Sequence, residues 1–445
     1  LLALEGALSL LGTGYPTEFA LKNRDGDAYA GNLRFGWRFF PPAVARVPLL
    51  FSYPVEKPPA TVRVFVLGAS AAQGYPSGAF SFARILEVML EEAYPSTAFE
   101  VINTSITATN SHVVRPIARD VAAHDPDLFV VYLGNNEVIG PYGFGSSEAG
   151  ARGGLGLIRA GIRLRETRLG QALHGLAGKV TGGEADVEDW AGMEMFAEHH
   201  IARDDPRLDR VAHAFAANLE DICAAALDAG APVLISTVAV NDWDCAPFAS
   251  ATPDLSTADG EAWNAAYARG AVAEDEGRHI EAVEAFSLAV ELDDGHAELR
   301  YRLGRALLAV GDTVSAGVHV RAARDLDLLR FRTDTRLNDV IRSTAASMEG
   351  VRLVDAALGF RELGPDVDRP RIERRFFEHV HLTFRGNHRL ASVMLPEVAA
   401  LLPTEVRAGR SDTPKPLDLE ACAAALNYTP WDAYRSLQTI GTLLQ

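Results

Sequence analysis

Cysteine is nearly absent: Cys223, Cys245 and Cys422 are the only three in 445 residues. They are too few and too scattered for a disulfide framework or a zinc knuckle. The odd number leaves at least one as a free thiol or paired with another chain. Long apolar runs are missing too, since no segment approaches the 18 or more residues needed to span a bilayer. Positive charge is scarce, with 42 Lys and Arg against 59 Asp and Glu and a formal charge of −17. That balance argues against a nucleic-acid partner, because nothing neutralises phosphates. It favours neutral or cationic substrates, weakly. A glycine-rich phosphate loop is also lacking: Gly68-Ala-Ser-Ala-Ala-Gln-Gly74 does not end in Gly-Lys-Ser/Thr. No metal and no cofactor is expected.

What is present is globular. Hydrophobic residues make up 48% of the chain and charged ones 23%, and the length calls for two or three units. From residue 61 onward, short apolar runs alternate with segments of helical spacing. Strands are predicted over 62–67, 99–103, 128–133, 232–240 and 351–354, and helices over 80–94, 112–123, 207–229 and 386–402. Largely apolar strands separated by helices imply a parallel sheet covered on both faces. Ligands of such sheets bind beyond the carboxyl ends of the strands. Ser70, residues 103–108, residues 134–137 and Asn241 all follow predicted strands, so they should converge on one crevice.

A different pattern interrupts this alternation. Between 259 and 329 the sequence repeats at an offset of 34 residues: Tyr267 with Tyr301, Gly270 with Gly304, Gly277 with Gly311, Ala282 with Ala316 and Ala289 with Ala323. That period, with small residues at helix-crossing positions, is a tetratricopeptide signature. Two repeats bury too little surface to stand alone, so they should dock on the core or on a partner. Such repeats usually bind protein.

The chemistry rests on two distant segments. Val62-Arg-Val-Phe-Val-Leu-Gly-Ala-Ser70 can present a hydroxyl at the end of a buried strand. Glu378-His-Val-His381 places a carboxylate and an imidazole three residues apart. Together they supply a nucleophile, a base and the group that orients the base, as acyl transfer through serine requires. The developing oxyanion needs donors, and Ser70 N–H, the backbone of 103–108 and the Asn136 amide are the candidates. Singly each reads as well as ordinary structure: Ser70 as a small turn residue, Asn136 as a turn residue, Glu378 and His381 as a surface helix start. His379 competes as base. An i, i+3 pair can face, whereas adjacent residues do not readily do so, which favours His381. Asn110, His112, Glu137, Asn241 and Trp243 also lie near strand ends and are candidates to line the substrate pocket. Residues 143–156, rich in Gly, Ser and Ala, read as a loop or lid.

In their order these blocks resemble the SGNH (GDSL-type) hydrolase superfamily, and in particular its members with tetratricopeptide repeats. The resemblance covers residues 61 to 402. It implies a flavodoxin-like three-layer α/β/α fold with an inserted all-α repeat segment. It assigns Ser70 as nucleophile, Glu378 and His381 as its partners, and Ser70 N–H, Ala108 N–H and Asn136 as the oxyanion hole. Three departures stand out. Gly-Asp-Ser is here Gly68-Ala69-Ser70, the second-block glycine is Ala108, and glutamate replaces aspartate. The function implied is a serine esterase or acyl hydrolase, or an acyltransferase, acting on an O-acyl ester of a glycan or lipid. The alternative is a catalytically idle scaffold that binds protein through its repeats.

The resulting organisation is a tail or linker over 1–60, a hydrolase unit over 61–255 and 335–405, a repeat insertion over 256–334, and a helical tail over 406–445. The apolar start, Leu1-Leu-Ala-Leu-Glu-Gly-Ala-Leu-Ser-Leu-Leu-Gly12, reads as the remnant of a membrane anchor or as a buried first helix. The first reading makes the protein extracytoplasmic and tethered.

Overall fold

The computed structural model describes residues 2–144, 154–181, 199–366, 369–411 and 417–443. Most of the 143–156 segment, expected as a loop or lid, lies outside them. Among the described residues, eight strands form two sheets. Ala20–Lys22 (β1), Ala28–Gly31 (β2) and Ser52–Pro54 (β3) make an antiparallel sheet. Thr61–Gly68 (β4), Ala98–Asn103 (β5), Leu128–Tyr132 (β6), Val233–Ser236 (β7) and Val351–Val354 (β8) make a parallel one in the order β5-β4-β6-β7-β8. The chain is therefore mixed α/β, with a five-stranded parallel sheet and many helices.

Every residue of β4 is buried, as expected of a central strand covered on both faces. Arg63 is its one charged residue, and its guanidinium is satisfied by Glu100 (2.7 Å), the His124 carbonyl (2.8 Å) and the Pro54 carbonyl (2.9 Å). The helices pack in groups. Phe82–Ala93 lies against Phe384–Leu401, while Arg207–Asp228 lies against both Ser111–Val121 and Thr335–Ser347. The fourth strand is shorter than its sequence suggests. After Ser236 the backbone turns to side chains: Val238 N–H donates to Asn338 Oδ1 (2.8 Å) and Ala239 N–H to the Tyr132 hydroxyl (3.1 Å). Thr237 N–H still reaches the Val354 carbonyl (3.0 Å), whereas residues 238–240 stay apolar and buried but leave the ladder.

Residues 2–60, within the segment read from sequence as tail or linker, are structured. Tyr53 donates to or accepts from His124 Nδ1 at 2.8 Å, and Asp120 accepts the N–H groups of Phe19 and Ala20 (2.8 and 2.9 Å). Phe19, Phe35 and Tyr53 belong to the main core. Ala-Leu-Lys, Ala-Tyr-Ala-Gly and Ser-Tyr-Pro lack the apolar runs that mark the parallel strands, so nothing in the sequence set them apart. Leu2–Leu10 is a helix whose Glu5 caps the helix Arg168–Thr181, accepting from Arg168 N–H (2.5 Å) and Leu169 N–H (3.0 Å). At the other terminus, Tyr428 stacks on Phe384 at 4.2 Å between ring centres. Among the described residues no helix is long and apolar enough to cross a membrane.

Between β7 and β8 the chain forms two helix pairs, Thr257–Asp275 with His279–Leu292 and Ala297–Ala309 with Thr313–Leu326. The pairs have their own apolar cluster, built on Trp263, Phe286, Leu299 and Leu303. Gly270 and Gly304, matched at the 34-residue offset, are both close-approach positions. A Cβ would strike the Phe286 ring at the first and the Val320 side chain at the second.

Candidate active site

β4 runs through Gly68 into a one-turn helix, Ser70–Gln73. Only glycine fits at 68, because a Cβ would meet the Tyr132 carbonyl and Ala72. Ser70 is therefore held, half-buried, at the carboxyl edge of the sheet with its N–H at a helix start. Its carbonyl accepts from Gly74 and Tyr75 (3.1 and 3.0 Å), which closes the turn. The second and third blocks follow β5 and β6, the two strands that flank β4. Asn103 Nδ2 donates to the Ala72 carbonyl (2.9 Å) and so ties the second block to the serine turn. The three blocks thus meet along one edge of three adjacent strands.

The carboxyl-terminal block is a tight loop. Phe376 bridges Leu382, Phe377 N–H donates to the His381 carbonyl (2.9 Å), and Thr383 caps the helix that follows. Glu378 sits at its centre and accepts from the backbone N–H of His379 and His381, each at 2.7 Å. His381 Nδ1 donates to Glu378 Oε1 at 2.6 Å. Its Nε2 is buried and has no hydrogen-bond partner. The ring lies 5.0 Å from that of Tyr75, five residues beyond Ser70, so the loop abuts the serine turn. No hydrogen bond joins Ser70 to His381.

Burial pushes His381 down to about 4. Its imidazole is neutral at neutral pH, the state a general base needs. His379 departs from expectation, because its Nδ1 also contacts Glu378, on Oε2. Adjacent residues can face one carboxylate here because the loop is not helical. The His379 ring is nevertheless enclosed edge-on by Phe248 (5.3 Å) and Phe331 (6.1 Å). Burial, then His381 and Arg332, hold it well below the ordinary histidine range.

The oxyanion candidates are less uniform. Ala108 sits at φ +56°, the left-handed region that favours glycine. The Asn136 amide is half-buried and donates to the Thr109 carbonyl (2.9 Å), not to open space beside Ser70.

The substrate-lining candidates are committed elsewhere. Asn110 donates to the Pro141 carbonyl. Glu137 caps the helix Ser111–Val121, accepting from Ser111 N–H (2.9 Å) and Oγ (2.7 Å), and burial raises it to about 7. His112 lies within 3.1 Å of the Asn218 amide, and burial, then Arg159 and Arg115, lower it to about 4. Trp243 packs on Ala316 and Val320 of the helical insert, and its carbonyl accepts from Tyr301. Asn241 has a positioning role, since its N–H donates to the His379 carbonyl and its amide to the Glu378 carbonyl, both at 2.9 Å.

Sequence reasoning missed the residues that brace this loop. Arg332 donates to the Asn241 and Cys245 carbonyls and pairs with Asp327 at 3.1 Å, where both side chains are 3% exposed. Asp327 in turn accepts from Phe248 and Ala249 N–H. A cavity of about 620 Å³ lined by Glu220, Asp334, Arg336 and Ser343 includes none of the site residues. The three cysteines are unpaired, and no group of His, Cys, Asp and Glu among the described residues is arranged to hold a metal. No protein-family model matches the sequence, and a comparison with curated proteins gives no match either.

Proposed function

We propose that the chain is a serine esterase of the SGNH type, cleaving an O-acyl ester of a glycan or lipid through an acyl-enzyme on Ser70. The observation that carries this reading is the Glu378–His381 hydrogen bond, with His381 Nε2 unpartnered beside the serine turn. Ser70 attacks the acyl carbon while His381 Nε2 takes its proton, and Glu378 holds the imidazole in the tautomer that exposes that nitrogen. The same proton then passes to the departing alkoxide. Water, or the hydroxyl of an acceptor in the transferase variant, releases the acyl group. Ser70 N–H and Ala108 N–H stabilise the oxyanion, and Asn136 joins them once substrate draws its amide from Thr109.

The finer fold assignment supports this. Counted from β4, the strand order is 2-1-3-4-5, the flavodoxin-like arrangement with its crevice at the carboxyl edge. The repeat offset and the matched close approaches at Gly270 and Gly304 support a tetratricopeptide insertion in a discontinuous hydrolase domain, 61–255 plus 335–405. An extracytoplasmic location, tethered through the amino-terminal segment, is part of the proposal; the coding sequence upstream of Leu1 tests it.

One observation favours a second reading, an idle hydrolase fold that binds protein through its repeats: the Asn136 amide is already engaged. A fluorophosphonate probe separates the two. Labelling should map to the peptide carrying Ser70, and Ser70→Ala should lose both the label and turnover of p-nitrophenyl acetate while unfolding at the wild-type temperature. Full activity in Ser70→Ala would hand the function to the scaffold reading.

A further inference from the structure

In this acidic chain, one surface carries cations in excess. Arg115 and Arg119, on the helix Ser111–Val121, face Arg159 and Arg163, on the helix Leu155–Leu164. A single carboxylate stands among them. Asp221 lies 2.5 Å from Arg115, 3.0 Å from Arg159 and 3.8 Å from Arg119. Arg163 is exposed and has no ion-pair or hydrogen-bond partner among the described residues. The Nε of Arg159 is buried and unpartnered, although its Nη2 donates to Asn218 Oδ1 (2.9 Å) and the Ala217 carbonyl (3.1 Å).

Three of these arginines, Arg115, Arg159 and Arg163, line a cavity. It has a volume of about 570 Å³ and is bounded by Arg115, Gly156, Arg159, Ala160, Arg163 and Leu164. Positions 156, 159, 160 and 163 fall on one face of their helix. The small residues there leave room between the two arginines. Four guanidinium groups against one carboxylate leave about three positive charges unbalanced at neutral pH. Each planar fork offers paired donors suited to an oxyanion with several acceptor oxygens.

We infer that this pocket binds an anion of the phosphate class, held by Arg163, Arg159 and Arg115, with Arg119 adding positive charge from beside Asp221. The mutual repulsion that, after burial, lowers Arg119 and Arg159 is what such an anion would relieve. Leu164 on the rim and Leu157, 71% exposed, place apolar surface beside the charge. The phosphate can therefore come from an anionic lipid headgroup or from a soluble phosphate ester. The inference is independent of the esterase assignment.

The test uses the full chain. Inorganic phosphate is titrated calorimetrically at fixed ionic strength with chloride as the reference anion, and vesicles of phosphatidylglycerol are compared with vesicles of phosphatidylcholine by flotation. The Arg119→Ala/Arg163→Ala variant leaves the Arg115–Asp221 pair intact. Wild type should bind phosphate above the chloride reference, and the double variant about tenfold more weakly or worse. Arg269→Ala, an exposed arginine on the helical insert, should bind as wild type does. Flotation with phosphatidylglycerol alone, lost in the double variant, identifies the lipid as the source; phosphate binding without flotation identifies a soluble ester. If the double variant fails to fold, Arg163→Ala alone carries the test, because that side chain holds nothing in place. Wild type that binds neither phosphate nor phosphatidylglycerol above the reference, or a folded variant that binds both as well as wild type, overturns the inference.

Discussion

Ala108 holds the one backbone conformation in the candidate site that its side chain resists. A left-handed alanine costs about 1 kcal/mol relative to glycine, part of which is offset by the greater freedom of glycine when unfolded. Ala108→Gly should therefore stabilise the fold by up to about 1 kcal/mol in denaturant titration while leaving the N–H in place. A loss of stability would mean that the Ala108 methyl makes packing contacts worth more than the strain. Glu378 poses the complementary test. Glutamine keeps its size but removes the charge that orients His381. Turnover of p-nitrophenyl acetate should fall about 10³-fold or more with little change in KM. The wild-type profile should carry its own signature. The base must be neutral, and burial lowers His381 to about 4 from 6.5, so kcat/KM should hold as pH falls through 6.5 and drop only nearer 4. An acid limb at 6.5 would mean that the titrating base is not this buried imidazole.

The links between elements explain why the carboxyl-terminal loop is rigid. The helix Thr313–Leu326 ends at Asp327, which grips Arg332 and the backbone of Phe248 and Ala249; Arg332 grips Asn241, and Asn241 grips the backbone of Glu378 and His379. The exit of the inserted helices is therefore wired to the loop that carries His381. Asp327→Ala would leave a buried guanidinium without its carboxylate, which costs about 3–5 kcal/mol in comparable pairs. Chemical denaturation should show that loss, and any esterase activity should fall as the 241–249 loop loosens. Unchanged stability would mean that solvent reaches Arg332 and replaces the pair. None of this wiring was legible in the sequence, because Asp327 and Arg332 look like ordinary charged residues between two helices. The strands and the serine turn were legible, since apolar runs with small residues at their ends have few other uses. The 34-residue spacing was legible for the same reason: Gly270 and Gly304 sit where two helices leave no room for a side chain.

Across the whole molecule, buried titratable groups pull stability in opposite directions with pH. His112, His124 and His381 are all lowered to about 4, chiefly by burial. Between about 4 and 6.5 the unfolded chain binds more protons at these sites, so their contribution to stability rises with pH and is lost as pH falls. Glu137 acts the other way. Burial raises it from 4.5 to about 7, and hydrogen bonds from Ser111 offset only part of that. The native state holds the extra proton between those values, so stability from Glu137 is full below about 4.5 and is lost as pH rises through 7. Sequence could not reveal this, because Glu137 follows a strand as a surface loop residue would, and its burial against Ser111, which Asn218 holds in turn, is a matter of packing. Glu137→Gln keeps an acceptor for Ser111 N–H and removes the charge. Its stability relative to wild type, read by denaturant titration at each pH, should rise steadily from pH 5 to pH 8, approaching a gain of at most about 3 kcal/mol, the cost of a shift from 4.5 to about 7. A difference that stays constant with pH would show that Glu137 titrates as an ordinary solvated carboxylate. The network joining Glu137 through Ser111, Asn218 and Arg159 to the arginine pocket would then be open to water rather than sealed within the fold.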